Sequence, residues 1–138
     1  MTEGRLHHVG FVVASIDRDI VGFQSSLSAT WDGVIFHDPQ QKVRVTFLST
    51  GNPHDAQIEL VEPAAEDSPV TKFVQKGGGL HHLCYEVRDL DKALGRARAQ
   101  KATVVRRPKP AVAFQGRRIA WIVTPQNLLV ELLEEAVA

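Results

Sequence analysis

Two histidine pairs and two glutamate-bearing segments hold the chemistry of this sequence. Leu6-His7-His8-Val9-Gly10-Phe11-Val12-Val13 opens the chain, and Leu80-His81-His82-Leu83-Cys84-Tyr85-Glu86-Val87 repeats its pattern 74 positions later. Ile58-Glu59-Leu60-Val61-Glu62 is echoed by Val130-Glu131-Leu132-Leu133-Glu134 at an offset of 72. Extended segments alternate their side chains between two faces. With His7, Val9, Phe11 and Val13 on the apolar face, His8 points the other way. With His81, Leu83, Tyr85 and Val87 on that face, His82 does the same. In the closing segments Ile58 and Leu60, and Val130 and Leu132, are the buried sets, which turns Glu59 and Glu131 to the opposite face. Each copy therefore offers one imidazole and one carboxylate on the face its helix leaves open. If the two faces converge, His8, Glu59, His82 and Glu131 form a first shell for a divalent metal, the two carboxylates balancing the ion's charge. Glu131 and Glu59 are also the candidate catalytic bases. Gln57, two residues before Glu59, is a candidate substrate-lining residue, as are Cys84 and Arg118. Arg117 and Arg118 suit an anionic substrate or a solvated strand edge equally.

The remaining reactive side chains read as structural. His7 and His81 are packing or supporting residues, His37 and His54 lie in polar turn-like surroundings, and Trp31 and Trp121 fill volume. Cys84 is the one cysteine, so no intrachain disulfide and no cysteine-based zinc site is expected. Gly77-Gly78-Gly79 lacks the Lys-Ser/Thr of a phosphate loop and the wider spacing of a dinucleotide site, and reads as a hinge or close approach.

The elements that must position these groups follow from periodicity. Residues 6–13 and 80–87 read as strands. Ile16, Ile20, Phe23 and Leu27 lie on one helical face after the capping candidates Ser15 and Asp17, and Leu90, Ala93, Leu94 and Ala97 do so after Asp89. Three extended runs close each copy, at 30–36, 43–50 and 56–62, then at 102–106, 117–123 and 127–134. Asp38-Pro39, Gly51-Asn52-Pro53, Pro108-Lys109-Pro110 and Pro125-Gln126-Asn127 supply turns between them. The reading is a single α+β domain over 1–138, built from two βαβββ modules at 5–63 and 79–135. A linker at 64–78 joins them, with a short helix near 69–76 after Ser68-Pro69.

The chain has 138 residues, with 16 basic and 16 acidic side chains, so its formal charge is zero. That balance argues against nucleic acid and against a membrane surface. Hydrophobic residues at 43% are enough for an ordinary core. The opening MTEGRLHHVG has no apolar run suited to a signal peptide, and no stretch is long enough to span a bilayer, so a cytoplasmic protein is expected.

A duplicated βαβββ unit with an early His and a late Glu in each copy resembles the vicinal oxygen chelate superfamily. That superfamily includes glyoxalase I, methylmalonyl-CoA epimerase, extradiol dioxygenases and bleomycin- or fosfomycin-resistance proteins. The chain is most similar to the methylmalonyl-CoA epimerase branch. The likeness rests on Leu6-His7-His8-Val9-Gly10, on Ile58-Glu59-Leu60-Val61-Glu62-Pro63, and on the run from Asp67-Ser68-Pro69 into Gly79-Leu80-His81-His82. The resemblance implies a curved mixed sheet around a metal-binding cavity, the glyoxalase-like fold, with His8, Glu59, His82 and Glu131 as ligands of a divalent metal; their nitrogen and oxygen donors suit Co, Mn, Ni, Zn or Fe alike. It implies a homodimer and a small-molecule substrate of the acyl-CoA kind. The implied activity is an epimerase or isomerase that stabilises an enolate next to a carbonyl. A glyoxalase I-like lyase is the alternative, and a non-enzymatic small-molecule binding or resistance protein a further one. Departures from the branch are Val45, where several epimerases carry a Glu, Gln40 where many carry Glu, and Thr124-Pro125 in place of a His-Pro turn.

Overall fold

The computed structural model describes residues 4–136. The ends of the expected 1–138 span, 1–3 and 137–138, lie outside the described residues. In chain order the elements are β1 (Gly4–Val12), α1 (Ile16–Leu27), β2 (Thr30–Trp31), β3 (Phe36–Asp38), β4 (Val43–Ser49), β5 (Gln57–Pro63), α2 (Thr71–Gln75), β6 (Gly79–Val87), α3 (Leu90–Ala99), β7 (Thr103–Pro110), a 3₁₀ turn (Val112–Phe114), β8 (Arg118–Val123) and β9 (Leu129–Glu134).

The chain divides into two compact units. One spans His8–His81; the other joins the start of the chain through His7 to everything from His82 on, so β1 and β6 each run through both. In the His8–His81 unit the strand order is β2-β4-β5-β1, with β3 also on β4. Here β1 and β5 are parallel, and β4 is antiparallel to β5. In the other unit the order is β6-β9-β8-β7, with β6 parallel to β9 and the rest antiparallel. The same connection, strand, helix, then a return to a parallel neighbour, is thus used twice.

Each unit covers one face of its strands with its helix. Ile16 and Ile20 of α1 pack with Val13, Leu48 and Leu60. Leu90, Ala93 and Leu94 of α3 pack with Val87, Ala120, Ile122, Val130 and Leu132. Both helices begin on a side-chain cap, Ser15 Oγ accepting from the Arg18 amide at 3.1 Å and Asp89 Oδ1 from the Lys92 amide at 3.1 Å.

A second carboxylate in each closing strand ties that strand to its helix. Glu62 accepts the Ile16 amide at 2.9 Å and Arg44 Nη1 at 2.8 Å. Glu134 accepts the Leu90 amide at 3.0 Å and Arg118 at 2.9 Å through Nη2 and 3.0 Å through Nε. These amides belong to a helix's first turn, which has no intrahelical partner and carries the positive end of the dipole. The final Glu of each Glu-Leu-x-Glu echo is therefore a helix anchor, three residues beyond the candidate ligand.

The structure departs from the sequence reading at three places. The run expected at 30–36 is two short strands, because Asp32 Oδ1 takes the Val34 amide at 2.9 Å and Gly33 adopts φ +82°, a turn that breaks the extended path. Pro108-Lys109-Pro110, expected as a turn, ends β7, whose pairing with β8 shifts register twice. β7 closes its unit's strand order, where a missing proline N–H costs no ladder bond. The linker helix covers Thr71–Gln75, shorter than expected, with Ser68 Oγ accepting the Val70 amide at 3.4 Å. Gly78 explains the triple glycine: at φ +70°, an added Cβ would lie 2.6 Å from the Val12 carbonyl oxygen. Among the described residues, no helix is long and apolar enough to cross a membrane.

The Arg118 guanidinium, together with the Leu90 amide, holds the Glu134 carboxyl below its usual range despite partial burial. A depressed folded-state value contributes stability that is complete above the unfolded value of about 4.3 and fades as pH falls through the folded value. Urea unfolding of Glu134→Gln is expected to show a loss of about 1.5–3 kcal/mol at pH 7, the worth of hydrogen bonds to a charged group. The deficit should shrink as pH is lowered from 5; a constant deficit would contradict the assignment.

Candidate functional site

In the His8–His81 unit, parallel pairing sets Gln57 beside His8 and Glu59 beside Gly10. Side chains in register on neighbouring strands share a face, so His8 and Glu59 emerge together on the side that α1 does not cover. His8 is fully buried and Glu59 is 5% exposed. His8 Nε2 lies 3.3 Å from Glu59 Oε1. Phe47, opposite Glu59 on β4, meets the His8 ring edge-on at 5.4 Å and 71°. Val12, Val43, Val45 and Val61 complete this face with buried apolar surface.

The other unit repeats the arrangement. Cys84 on β6 pairs with Glu131 on β9, and His82, two residues before Cys84, takes the same face. His82 is 3% and Glu131 4% exposed. His82 Nε2 lies 3.6 Å from Glu131 Oε1. Trp121, opposite Glu131 on β8, meets the His82 ring edge-on at 4.8 Å and 77°.

Both nitrogen–oxygen distances are longer than a good N–H···O hydrogen bond. Two ligands on one ion with bonds of about 2.1 Å lie about 3.0 Å apart at a right angle and about 3.4 Å apart at the tetrahedral angle; the His8–Glu59 distance falls in that range and the His82–Glu131 distance lies just beyond it. Nitrogen and carboxylate oxygen donors suit first-row divalent metals. Each pair by itself thus fits half of a metal shell, with a ring packed against its imidazole.

The other candidate residues fall as follows. Gln57 is half-buried in register with His8, and Cys84 is fully buried in register with Glu131. Arg118 is placed apart from them: it shares a face of β8 with Ala120 and Ile122, under α3, and its guanidinium is held by Glu134 and, at 3.3 Å, by Asp91. Those two carboxylates raise its pKa, so it stays charged and engaged. His7 packs edge-on to Phe114 at 5.4 Å and His81 to Phe73 at 5.0 Å; His37 and His54 are exposed. Val45 stands buried on the Glu59 face, so β4 brings no carboxylate there.

Two features go beyond the sequence reading. The sequence assigns Phe47 no role and Trp121 only that of filling volume, yet both rings pack edge-on against an imidazole. Their spacing of 74 positions equals that of His8 and His82, which was the available signal. The other feature is Glu86, on the His82 face of β6, which receives Arg117 Nη1 at 2.7 Å and Arg5 Nε at 3.0 Å. Burial pushes its carboxyl up, but the two guanidinium groups outweigh it and hold it below the usual range.

Residues 7–121 match the Glyoxalase/Bleomycin resistance protein/Dioxygenase superfamily, and the chain belongs to it. It is 31% identical over 121 residues to the ethylmalonyl-CoA/methylmalonyl-CoA epimerase of Cereibacter sphaeroides, covering 86% of this chain and 87% of that one. It is 34% identical over 137 residues to the uncharacterised protein YqjC of Bacillus subtilis, covering 94% and 91%. The crystal structure of methylmalonyl-CoA epimerase from Mycobacterium tuberculosis superposes with a TM-score of 0.80 at 32% identity, over 96% of this chain and 88% of that one. The fold is accordingly the α+β, glyoxalase-like one.

The packed rings generate a prediction. Hydrogen-bond partners that orient a metal-ligating imidazole typically contribute 10–100-fold to affinity, and a ring packed edge-on that limits its rotation acts in the same direction. Phe47→Leu and Trp121→Leu are each expected to weaken Mn or Co binding about tenfold in calorimetric titration. Unchanged affinity in both would show that the rings only fill space.

Proposed function

We propose that the protein is a metal-dependent epimerase of a short acyl-CoA thioester such as methylmalonyl-CoA, and that His8, Glu59, His82 and Glu131 hold its ion jointly. The observation that carries this reading is the buried imidazole–carboxylate pair that recurs in both units at matching strand register. The names of the relatives support the choice of reaction. The reading includes a homodimer, as the resemblance implies.

A bound dication would act as a Lewis acid toward substrate oxygens, a contribution of several kcal/mol. The residues supply the rest. The Glu131 carboxylate takes the proton on the carbon between the two carbonyl groups; the C–H electron pair moves into the new C–C double bond, and the carbonyl pair moves onto oxygen. Glu59, carrying a proton at the start of the turn, gives it to the opposite face of that carbon, and the proton taken up by Glu131 returns to Glu59 by exchange once the product has left. β4 carries Val43, Val45, Phe47 and Ser49 on this face, none of them a carboxylate, which supports giving both proton transfers to the two buried glutamates. Val12, Val43, Val45 and Val61 line the Glu59 face with apolar surface, which strengthens the electrostatic contacts of its carboxyl group.

Glu131→Gln keeps the shape of the side chain and removes its basicity. Its epimerisation rate on methylmalonyl-CoA is expected to fall about 10²–10⁴-fold, the range of a general base, with the circular-dichroism spectrum unchanged. Near-full activity in this variant would remove the role. Turnover by the wild type of the glutathione hemithioacetal of methylglyoxal, and not of methylmalonyl-CoA, would replace the epimerase reading with the lyase one.

A further inference from the structure

The two copies agree at His8/His82, Phe47/Trp121, Glu59/Glu131, Arg44/Arg118 and Glu62/Glu134. Among the positions where they differ, two change from apolar to charged together. Val12 and Val43, buried at 1% and 6% exposure, correspond at an offset of 74 to Glu86 and Arg117. Where one unit packs two valines, the other keeps an ion pair of 2.7 Å, its side chains 14% and 23% exposed. Packing alone would have been served by the apolar pair, since a partly buried ion pair contributes little net stability.

Arg117 is also fixed unusually well. Nη1 donates to Glu86 Oε2 at 2.7 Å and, at 3.4 Å, to the Glu134 carbonyl oxygen, and the guanidinium carbon lies 5.8 Å from the Phe114 ring centroid. These contacts use one nitrogen and one face. Nε and Nη2 have no hydrogen-bond partner among the described residues. That edge of a guanidinium presents two parallel N–H donors, the fork that binds carboxylate and phosphate bidentately. Glu86 is shared with Arg5 at 3.0 Å, so two cations face one anion and the cluster keeps a net positive charge. Glu86 lies four residues from His82 on the same strand face. Adjacent Arg118 cannot serve, because Glu134 and Asp91 occupy it on the helix side.

We infer that Arg117, oriented by Glu86 and Phe114, is an anion-binding residue on the His82 face, its Nε–Nη2 edge taking two oxygens of a substrate carboxylate or phosphate. This deepens the proposed function and rests on it for the substrate's identity. Calorimetric titration with methylmalonyl-CoA, CoA and methylmalonate tests it on wild type, Arg117→Gln, Arg117→Lys and the exposed control Arg98→Gln. Arg117→Gln is expected to weaken methylmalonyl-CoA binding at least tenfold. Arg117→Lys should recover only part, since a point charge lacks the fork, and Arg98→Gln should match wild type. A loss shared by methylmalonate and not CoA identifies the carboxylate as the bound group; the reverse identifies a phosphate. Should Arg117→Gln fold poorly, Glu86→Gln/Arg117→Gln removes both charges together. Wild-type affinity for all three probes in the Arg117 variants, or no binding of any probe by the wild type, would overturn the inference. Wild type that binds methylmalonyl-CoA without epimerising it would overturn the epimerase reading and leave the anion fork standing.

Discussion

Removing a carboxylate from water costs several kcal/mol unless charge or hydrogen bonds compensate it. This protein does so in each unit, at Glu59 and Glu131, and sets a buried imidazole against each. Such groups are poor material for a core; leucine would pack better at either place. The arrangement makes physical sense as a donor set, and the elements around it serve to hold it. Parallel pairing of β1 with β5 and of β6 with β9 fixes which His meets which Glu. A ring on the antiparallel neighbour then limits how far each imidazole can turn.

The helix anchors extend the same logic. Glu62 and Glu134 lie three residues past the buried glutamates and bond to the first amide of the unit's own helix. Strand and helix are thereby locked close to the candidate ligand rather than at a distant turn. The two carboxylates of each closing strand divide the labour, the earlier one facing away from the helix and the later one holding it.

Much of this was legible in the sequence because strand alternation is a strict rule. His8 and Glu59, and His82 and Glu131, follow from which neighbours are apolar. The role of Glu62 and Glu134 was not legible, although both letters stood in the echoed segment: it depends on a strand end passing over a helix start, which no local pattern encodes. Arg117 and Arg118 show the same limit, since adjacent residues at a strand's edge go to different faces and only the pairing of β8 decides which. The prolines of β7 carry turn propensity, yet they end a strand that closes its unit's strand order, a placement no local pattern encodes. Asp32-Gly33 carried a turn signal that the apolar residues around it obscured.

The repeat is informative where it fails as well as where it holds. Equivalent positions that share a residue type mark what both halves must supply, and the replacement of Val12 and Val43 by Glu86 and Arg117 marks what only one supplies. The account stands or falls on the joint action of His8, Glu59, His82 and Glu131. X-ray absorption spectroscopy on protein loaded with Mn or Co tests that most directly. The account predicts one ion per chain, with two imidazole nitrogens and carboxylate oxygens in its shell, and with one imidazole lost in either His8→Ala or His82→Ala. A stoichiometric ion bearing a single imidazole, or a shell unchanged by both substitutions, would contradict it.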